Sequence, residues 1–276
     1  MRTHNHKKTI WRSIVSGFLA AALVLTTCAA TFAPLSALAD ADTSKRFISQ
    51  YDSLAQMYNA EAKINVEVAA EGMVLLKNRD NALPLSRSAN VTLLGAASYN
   101  LYQGRNGTPG DGSAKVELAD SLEAVGISVN PRVQALYAQV GEGKLMDLVA
   151  SDGEVEFDGK SYVAASNGML DDAINTFKFY DDAAIITLRR TGDEGADNLA
   201  YNVPGHSDPS DHNLMLTDAE RETIAFAKQH FNKVIVLLNI PSMMEIGALK
   251  DDDAISAIVQ ISLPGSNGAA AIGKLL

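Results

Sequence analysis

Cysteine is nearly missing from this 276-residue chain: the single one, Cys28, lies in the N-terminal leader, and no thiol follows it. Disulfide staples and thiolate metal sites are thereby excluded from residue 40 onward, and the fold has to stand on its hydrophobic core. Tryptophan is as scarce. Trp11 is alone and in the same leader, so stacking of an aromatic face on a ligand falls to tyrosines such as Tyr99, Tyr102 and Tyr201. Positive charge is short too, with 23 lysines and arginines against 33 acids and a net charge of −10. Four of those cations and none of the acids precede Asp40, which leaves −14 on the remainder. An acidic surface of that size argues against nucleic acid or anionic membrane as a partner. No internal repeat and no low-complexity linker interrupts the chain, and a composition 47% hydrophobic and 20% charged is that of an ordinary globular protein.

The first residues read as an export signal. Arg2, Lys7, Lys8 and Arg12 form a basic leader, residues 14–25 are apolar, and Ala37-Leu38-Ala39 is a small-x-small cleavage site before Asp40. The apolar run falls short of the roughly 20 residues a membrane span needs, so membrane contact is expected only through an uncleaved leader. Leu25-Thr26-Thr27-Cys28 approaches a lipoprotein box, although Thr27 is bulkier than the residue usual there. The other reading is a small apolar cysteine inside a signal peptide. The expected organisation is a signal peptide over 1–39, a helical lead-in over 40–69 and one domain over 70–276, secreted or held at the cell surface.

Beyond the leader, hydrophobic periodicity predicts a helix over about 43–71, broken at Gly72. Uniformly apolar short strands are predicted at 91–94, 127–129, 183–188, 234–238 and 255–261. Helices alternate with them at 116–125, 133–149, 171–179, 218–231, 242–249 and 265–276. Thr217-Asp218-Ala219-Glu220 is a capping box, the hydroxyl accepting from the Glu220 amide while the Glu220 carboxylate reaches back. Such alternation predicts an α/β fold with a mostly parallel sheet covered by helices on both faces.

The stretch that speaks to chemistry is Arg190-Thr191-Gly192-Asp193-Glu194-Gly195-Ala196-Asp197. It follows the 183–188 strand directly, and open α/β sheets keep their ligands at the C-terminal ends of strands. Flanking glycines let a ligand approach the backbone, and clustered acids raise one another's proton affinity. The plainer alternative is a solvated acidic turn.

Several segments together resemble, in order, the α/β sandwich domain of glycoside hydrolase family 3, the β-glucosidase and β-xylosidase family. They are the opening Ala70-Glu71-Gly72-Met73-Val74-Leu75-Leu76-Lys77-Asn78 with Ala82-Leu83-Pro84-Leu85, the loop from Ser98-Tyr99-Asn100 to Gly112, Arg190 to Asp197, Leu216 to Glu220, Asn239, and Leu263-Pro264-Gly265. The resemblance spans about 61–276. It implies an exported retaining exo-β-glycosidase acting on β-linked oligosaccharides, with Glu194 as general acid/base and an aspartate nucleophile on a separate (β/α)8 barrel. Retention needs two carboxyl groups about 5–5.5 Å apart. This chain offers no run of eight strand and helix repeats, so the barrel and its nucleophile are absent and no hydrolysis is expected from it alone. Asp193 departs from the small residue usual before the glutamate, which bears on the proton affinity of Glu194 or merely faces solvent. The resemblance also makes Tyr102, Gln103, Arg105, Asn106 and Asp197 substrate contacts.

Other readings are weaker. Gly104 to Gly112 between a strand and a helix invites a phosphate, but the spacing is neither G-x-G-x-x-G nor a lysine-bearing phosphate loop, so no cofactor is expected. His206, Asp208, Asp211 and His212 crowd one loop, where metal ligands are loosely held; a polar cover over the sugar site is preferred and no metal is expected. His230 is read as a favourable charge at a helix C-terminus. The alternative function is a non-catalytic sandwich that binds sugars or a partner protein.

Overall fold

A computed structural model describes residues 49–103, 115–139, 169–190, 200–203 and 205–276. The chain divides between Met57 and Tyr58, and the second unit, Tyr58–Leu276, carries the sheet. The described helices are α1 (Leu54–Gly72), α2 (Leu118–Glu123), α3 (Pro131–Gln139), α4 (Met169–Thr176), α5 (Asp218–His230), α6 (Gly247–Lys250), α7 (Gly265–Gly268) and α8 (Ile272–Leu275). The strands are β1 (Val74–Asn78), β2 (Asn90–Leu94), β3 (Ser128–Val129), β4 (Ala183–Arg189), β5 (Val234–Asn239) and β6 (Ile255–Gln260).

They form one six-stranded sheet in the order β1-β6-β5-β4-β2-β3. Every neighbouring pair is parallel except β1 with β6. The expected mostly parallel sheet between helices is therefore the architecture observed. Its physical cause is visible in the alternation of side chains, because successive residues of a strand point to opposite faces. Ala184, Ile186, Leu188, Val234, Val236 and Leu238 enter one core with α3, α4 and α5. Ala183, Ile185, Ile235, Leu237, Ala257 and Val259 enter the other, with α2, α8 and Ala269. All residues of β4 and β5 are buried. At about 1.5–3 kcal/mol for each large aliphatic side chain taken out of water, these two strands anchor the domain.

Element boundaries shift where packing overrides local preference. The helix predicted at 242–249 contracts to α6, and that at 265–276 is interrupted by a 3-10 turn at Ala269–Ala271. Of the helix predicted at 133–149, residues 140–149 lie outside the described residues, as does the whole leader. The turn after α2 needs glycine: Gly126 has φ +95°, and a Cβ there would stand 2.7 Å from the Arg87 carbonyl oxygen. Among the described residues, no helix is long and apolar enough to cross a membrane.

Candidate functional site

Because β2, β4, β5 and β6 run parallel, their C-terminal ends share one rim, the edge at which α/β sheets present ligand-binding loops. Side chains near those ends brace the exits against one another. Ser98 Oγ donates to the Leu94 carbonyl (2.7 Å) and accepts from the Thr187 amide (2.9 Å), joining the exits of β2 and β4. Asn239 closes β5: its amide nitrogen donates to the carbonyls of Tyr102 (2.9 Å) and Ser262 (2.7 Å), and its oxygen accepts from the Tyr102 amide (2.6 Å). One carboxamide thus fixes three strand exits. The Arg190 amide in turn donates to the Asn239 carbonyl (3.3 Å).

Immediately after β4 stands a fully buried ion pair. The side chains of Arg190 and Glu220 are 1% and 0% exposed. Arg190 donates through Nη1 and Nη2 to the two carboxylate oxygens of Glu220, at 2.5 and 2.7 Å. Its remaining N–H groups reach the carbonyls of Asn213 (3.0 Å), Arg189 (2.9 Å) and Met215 (2.8 Å). Glu220 Oε2 also accepts from the Thr217 amide (2.9 Å), and Thr217 Oγ1 accepts from the Glu220 amide (3.2 Å), which completes the predicted capping box. Sequence reasoning identified the cap and missed the ion pair. The available signal was a pair of arginines at the end of a mostly apolar strand, and the partner of Arg190 lies thirty residues onward.

The expected site residues fall out as follows. Tyr102 is half-buried at the rim with its backbone held by Asn239. Gln103 is 4% exposed, and its Nε2 donates to the Val116 carbonyl at 2.9 Å. Arg105, Asn106, Glu194 and Asp197 lie outside the described residues. Glu117, near Gln103, has its carboxyl pKa raised by burial, against the opposing pull of a bond from the Leu101 amide and of nearby Lys115. Tyr99 is stacked on Tyr137 with ring centroids 4.8 Å apart and donates its hydroxyl to the Leu93 carbonyl (3.0 Å). Burial pushes the pKa of that phenol up, and the ring is committed to the core. Tyr201, by contrast, is 68% exposed.

The histidine-bearing loop is fastened to α5. His206 Nδ1 lies 3.2 Å from Asp211 Oδ2, and Arg221 bridges Asp211 (3.1 Å) and Asp218 (2.8 Å). Asp218 also accepts from the Ser207 amide (2.6 Å). The bonds from Arg221 and Ser207 hold the Asp218 carboxyl below its ordinary pKa. His212 turns to a different carboxylate, Glu245, at 3.3 Å. His230 packs among aromatic rings, 4.4 Å from Phe226 and 5.5 Å from Phe177 between centroids.

Comparison with known proteins adds to this geometry. The family model described as "Glycosyl hydrolase family 3 C-terminal domain" matches residues 73–276. Beta-glucosidase A of Butyrivibrio fibrisolvens is 27% identical over 239 residues, covering 78% of this chain and 26% of that protein. The beta-glucosidase of Ruminococcus albus is 26% identical over 213 residues, covering 75% and 21%. Among solved structures, a beta-glucosidase from Paenibacillus barengoltzii superposes with a TM-score of 0.59 at 24% identity, covering 78% of this chain and 22% of that one. Beta-glucosidase 3B of Thermotoga neapolitana, solved with glucose, gives 0.58 at 22%, covering 79% and 29%. At such identities the structural likeness is one of fold. The chain spans about a quarter of the length of the curated relatives it matches.

Proposed function

The chain belongs to the glycosyl hydrolase family 3 C-terminal domain family, and from that premise we propose that it supplies the general acid/base of an exported retaining exo-β-glycosidase. Glu194 is the proton donor: uncharged, it protonates the glycosidic oxygen as the bond to the anomeric carbon breaks, then as carboxylate activates the water that releases the sugar. The nucleophile comes from a (β/α)8 barrel outside residues 73–276, held about 5–5.5 Å from the donor. The substrate is a β-linked oligosaccharide or glycoside, contacted by Tyr102, Gln103, Arg105, Asn106 and Asp197.

The observation that carries the reading is the family match over 73–276, joined to the order of the sequence, in which the acidic segment 190–197 follows β4, a strand whose C-terminal end belongs to the edge where parallel sheets present ligands. Export rests on the basic leader, apolar run and Ala37-Leu38-Ala39 site.

The test is to assay the full chain, alone and joined to a family 3 barrel bearing the nucleophilic aspartate, on alkyl and 4-nitrophenyl β-glucosides. Turnover is expected only from the joined protein. Glu194→Gln should cost the alkyl substrate roughly 10²–10⁴-fold and the activated aryl substrate far less, because a good leaving group needs no proton. Undiminished hydrolysis of the alkyl glucoside by that variant would falsify the assignment. Sugar binding without turnover in the joined protein favours the non-catalytic module instead. N-terminal sequencing of the exported product should begin at Asp40.

A further inference from the structure

We infer that the C-terminal rim of the sheet holds its ligand by accepting hydrogen bonds from hydroxyl groups, at His206 Nε2, His212 Nδ1 and Gln103 Oε1; the inference rests on the reading of this rim as the sugar-binding edge. Among the described residues, five buried side-chain atoms have no hydrogen-bond partner: Gln103 Oε1, Glu117 Oε2, His206 Nε2, His212 Nδ1 and Ser242 Oγ. A buried polar group left unpaired costs about 1–3 kcal/mol, and folded proteins leave few of them. Away from the rim the buried polar side chains are paired: Asn130 with Thr92 and Thr176, Ser121 with the Gly273 amide, Thr223 with the Ala219 carbonyl.

All five unpaired atoms lie at one end of the sheet. Gln103 follows Tyr102, which Asn239 pins to the end of β5, and its own Nε2 holds the Val116 carbonyl next to Glu117. His212 precedes Asn213, whose carbonyl receives Nε of Arg190, the residue that follows β4. His206 is joined to the same loop through Asp211. Ser242 comes shortly after Asn239, the last residue of β5.

The geometry also defines what is missing. His206 Nδ1 lies 3.2 Å from Asp211 Oδ2, and His212 Nε2 lies 3.3 Å from Glu245 Oε1. In a neutral imidazole the nitrogen facing a carboxylate carries the proton, so the other nitrogen presents a lone pair. The Gln103 amide oxygen is likewise an acceptor only. The Ser242 hydroxyl serves either role, and the Glu117 carboxyl, its pKa raised by burial, can supply a proton. What the rim lacks is therefore chiefly donors. An anion would bring only further lone pairs. An ammonium group meets, beside His206, the Arg221 guanidinium already placed 3.1 Å from the same Asp211 oxygen. A neutral ligand rich in hydroxyls satisfies the set without adding charge. All three acceptors are carried by loops, the elements that shift to admit a ligand.

The experiment is a long-range ¹H–¹⁵N correlation spectrum of the full chain labelled at histidine, alone and joined to the family 3 barrel, titrated at one pH with methyl β-glucoside, phosphate and methylammonium. Before any addition the spectra should show the ring proton on Nδ1 of His206 and on Nε2 of His212. Methyl β-glucoside is expected to move the His206 Nε2 and His212 Nδ1 resonances saturably, as each lone pair takes up a donor, while the two ions leave them in place. Folded His206→Phe and Gln103→Met proteins should bind the glucoside roughly 2- to 10-fold more weakly, the worth of one hydrogen bond each. Lys228→Ala, on α5, should bind it as wild type does; should a variant fail to fold, the wild-type titration decides. Unmoved nitrogens in both proteins, or movement by either ion in place of the glucoside, overturn the inference. Turnover by the joined protein with unmoved nitrogens keeps the acid/base reading and removes this one, and moved nitrogens without turnover do the reverse.

Discussion

The β1 edge and the β4–α5 junction use charged side chains for opposite ends. At the edge, Lys77 extends its ammonium to the carbonyls of Leu249 (3.4 Å), Lys250 (2.9 Å) and Asp252 (2.7 Å), closing the C-terminus of α6. Asn78 exchanges two hydrogen bonds with the backbone of Leu83, at 3.0 and 2.9 Å. Val74, Leu75 and Leu76 around them are exposed. At the junction, Arg190 and Glu220 are removed from water altogether. The segment most recognisable in the sequence, residues 70–85, is therefore recognisable for structural reasons. Its lysine and asparagine hold a strand edge and a turn. The residues that shape the chemical rim carry a weaker local signature and far more of the electrostatic risk, because a buried charge that loses its partner has no solvent to fall back on.

The sharpest way to break this contrast is to remove one member of the buried pair. Arg190→Ala leaves the Glu220 carboxylate enclosed and is expected to lower unfolding stability by about 3–5 kcal/mol in urea titrations. A loss under 1 kcal/mol would mean that the junction is wetter than its geometry implies. Next comes Asn78→Ala, which strands the amide and carbonyl of Leu83 and should cost about 1–3 kcal/mol by the same measurement. It is expected to leave the pH dependence of stability untouched.

Two carboxyls sharpen the comparison through pH. Glu117 has a pKa raised above its ordinary 4.5 by burial, so its contribution to stability is full below that value and is lost as pH rises through the raised one. Glu117→Gln should therefore stabilise the protein near neutrality relative to wild type and change little near pH 4. Asp218 runs the other way. Its carboxyl is held below 3.8, so its contribution is present above that value and vanishes as acid protonates it. Asp218→Asn should flatten the acid limb of a plot of urea midpoint against pH. The smallest effect is expected from Lys228→Ala, which breaks a pair with Asp252 whose side chains are 34% and 28% exposed. Screened pairs of this kind contribute roughly 0–1 kcal/mol, and raising the salt concentration should mask the difference.

Much of the architecture was legible in the residues. The apolar runs at 91–94, 183–188, 234–238 and 255–261 became β2, β4, β5 and β6 with boundaries displaced by a residue or so, since a strand buried on both faces has no alternative to uniform hydrophobicity. Thr217 and Glu220 announced the start of α5 through spacing alone. Short helices were less legible. The predicted helix at 242–249 shrank to four residues because Glu245 is drawn to the Leu214 carbonyl and His212, contacts with no local signal. Of the candidate site, Arg105, Asn106, Glu194 and Asp197 lie outside the described residues, and what the structure adds at the end of β4 is the Arg190–Glu220 pair, whose members thirty residues apart leave no local signal.

Local chemistry, then, was settled by the order of the amino acids: which runs are strands, where α5 begins, and that no thiol is available beyond Cys28. Partnership across the chain was decided by the tertiary structure. Glu220 finds Arg190, and Asn239 finds Tyr102 and Ser262, only once β2, β4, β5 and β6 lie side by side with their ends at one rim. The reason is range: helix caps and strand periodicity act over a few residues, whereas a buried charge is satisfied by whatever the sheet order brings within about 3 Å of it.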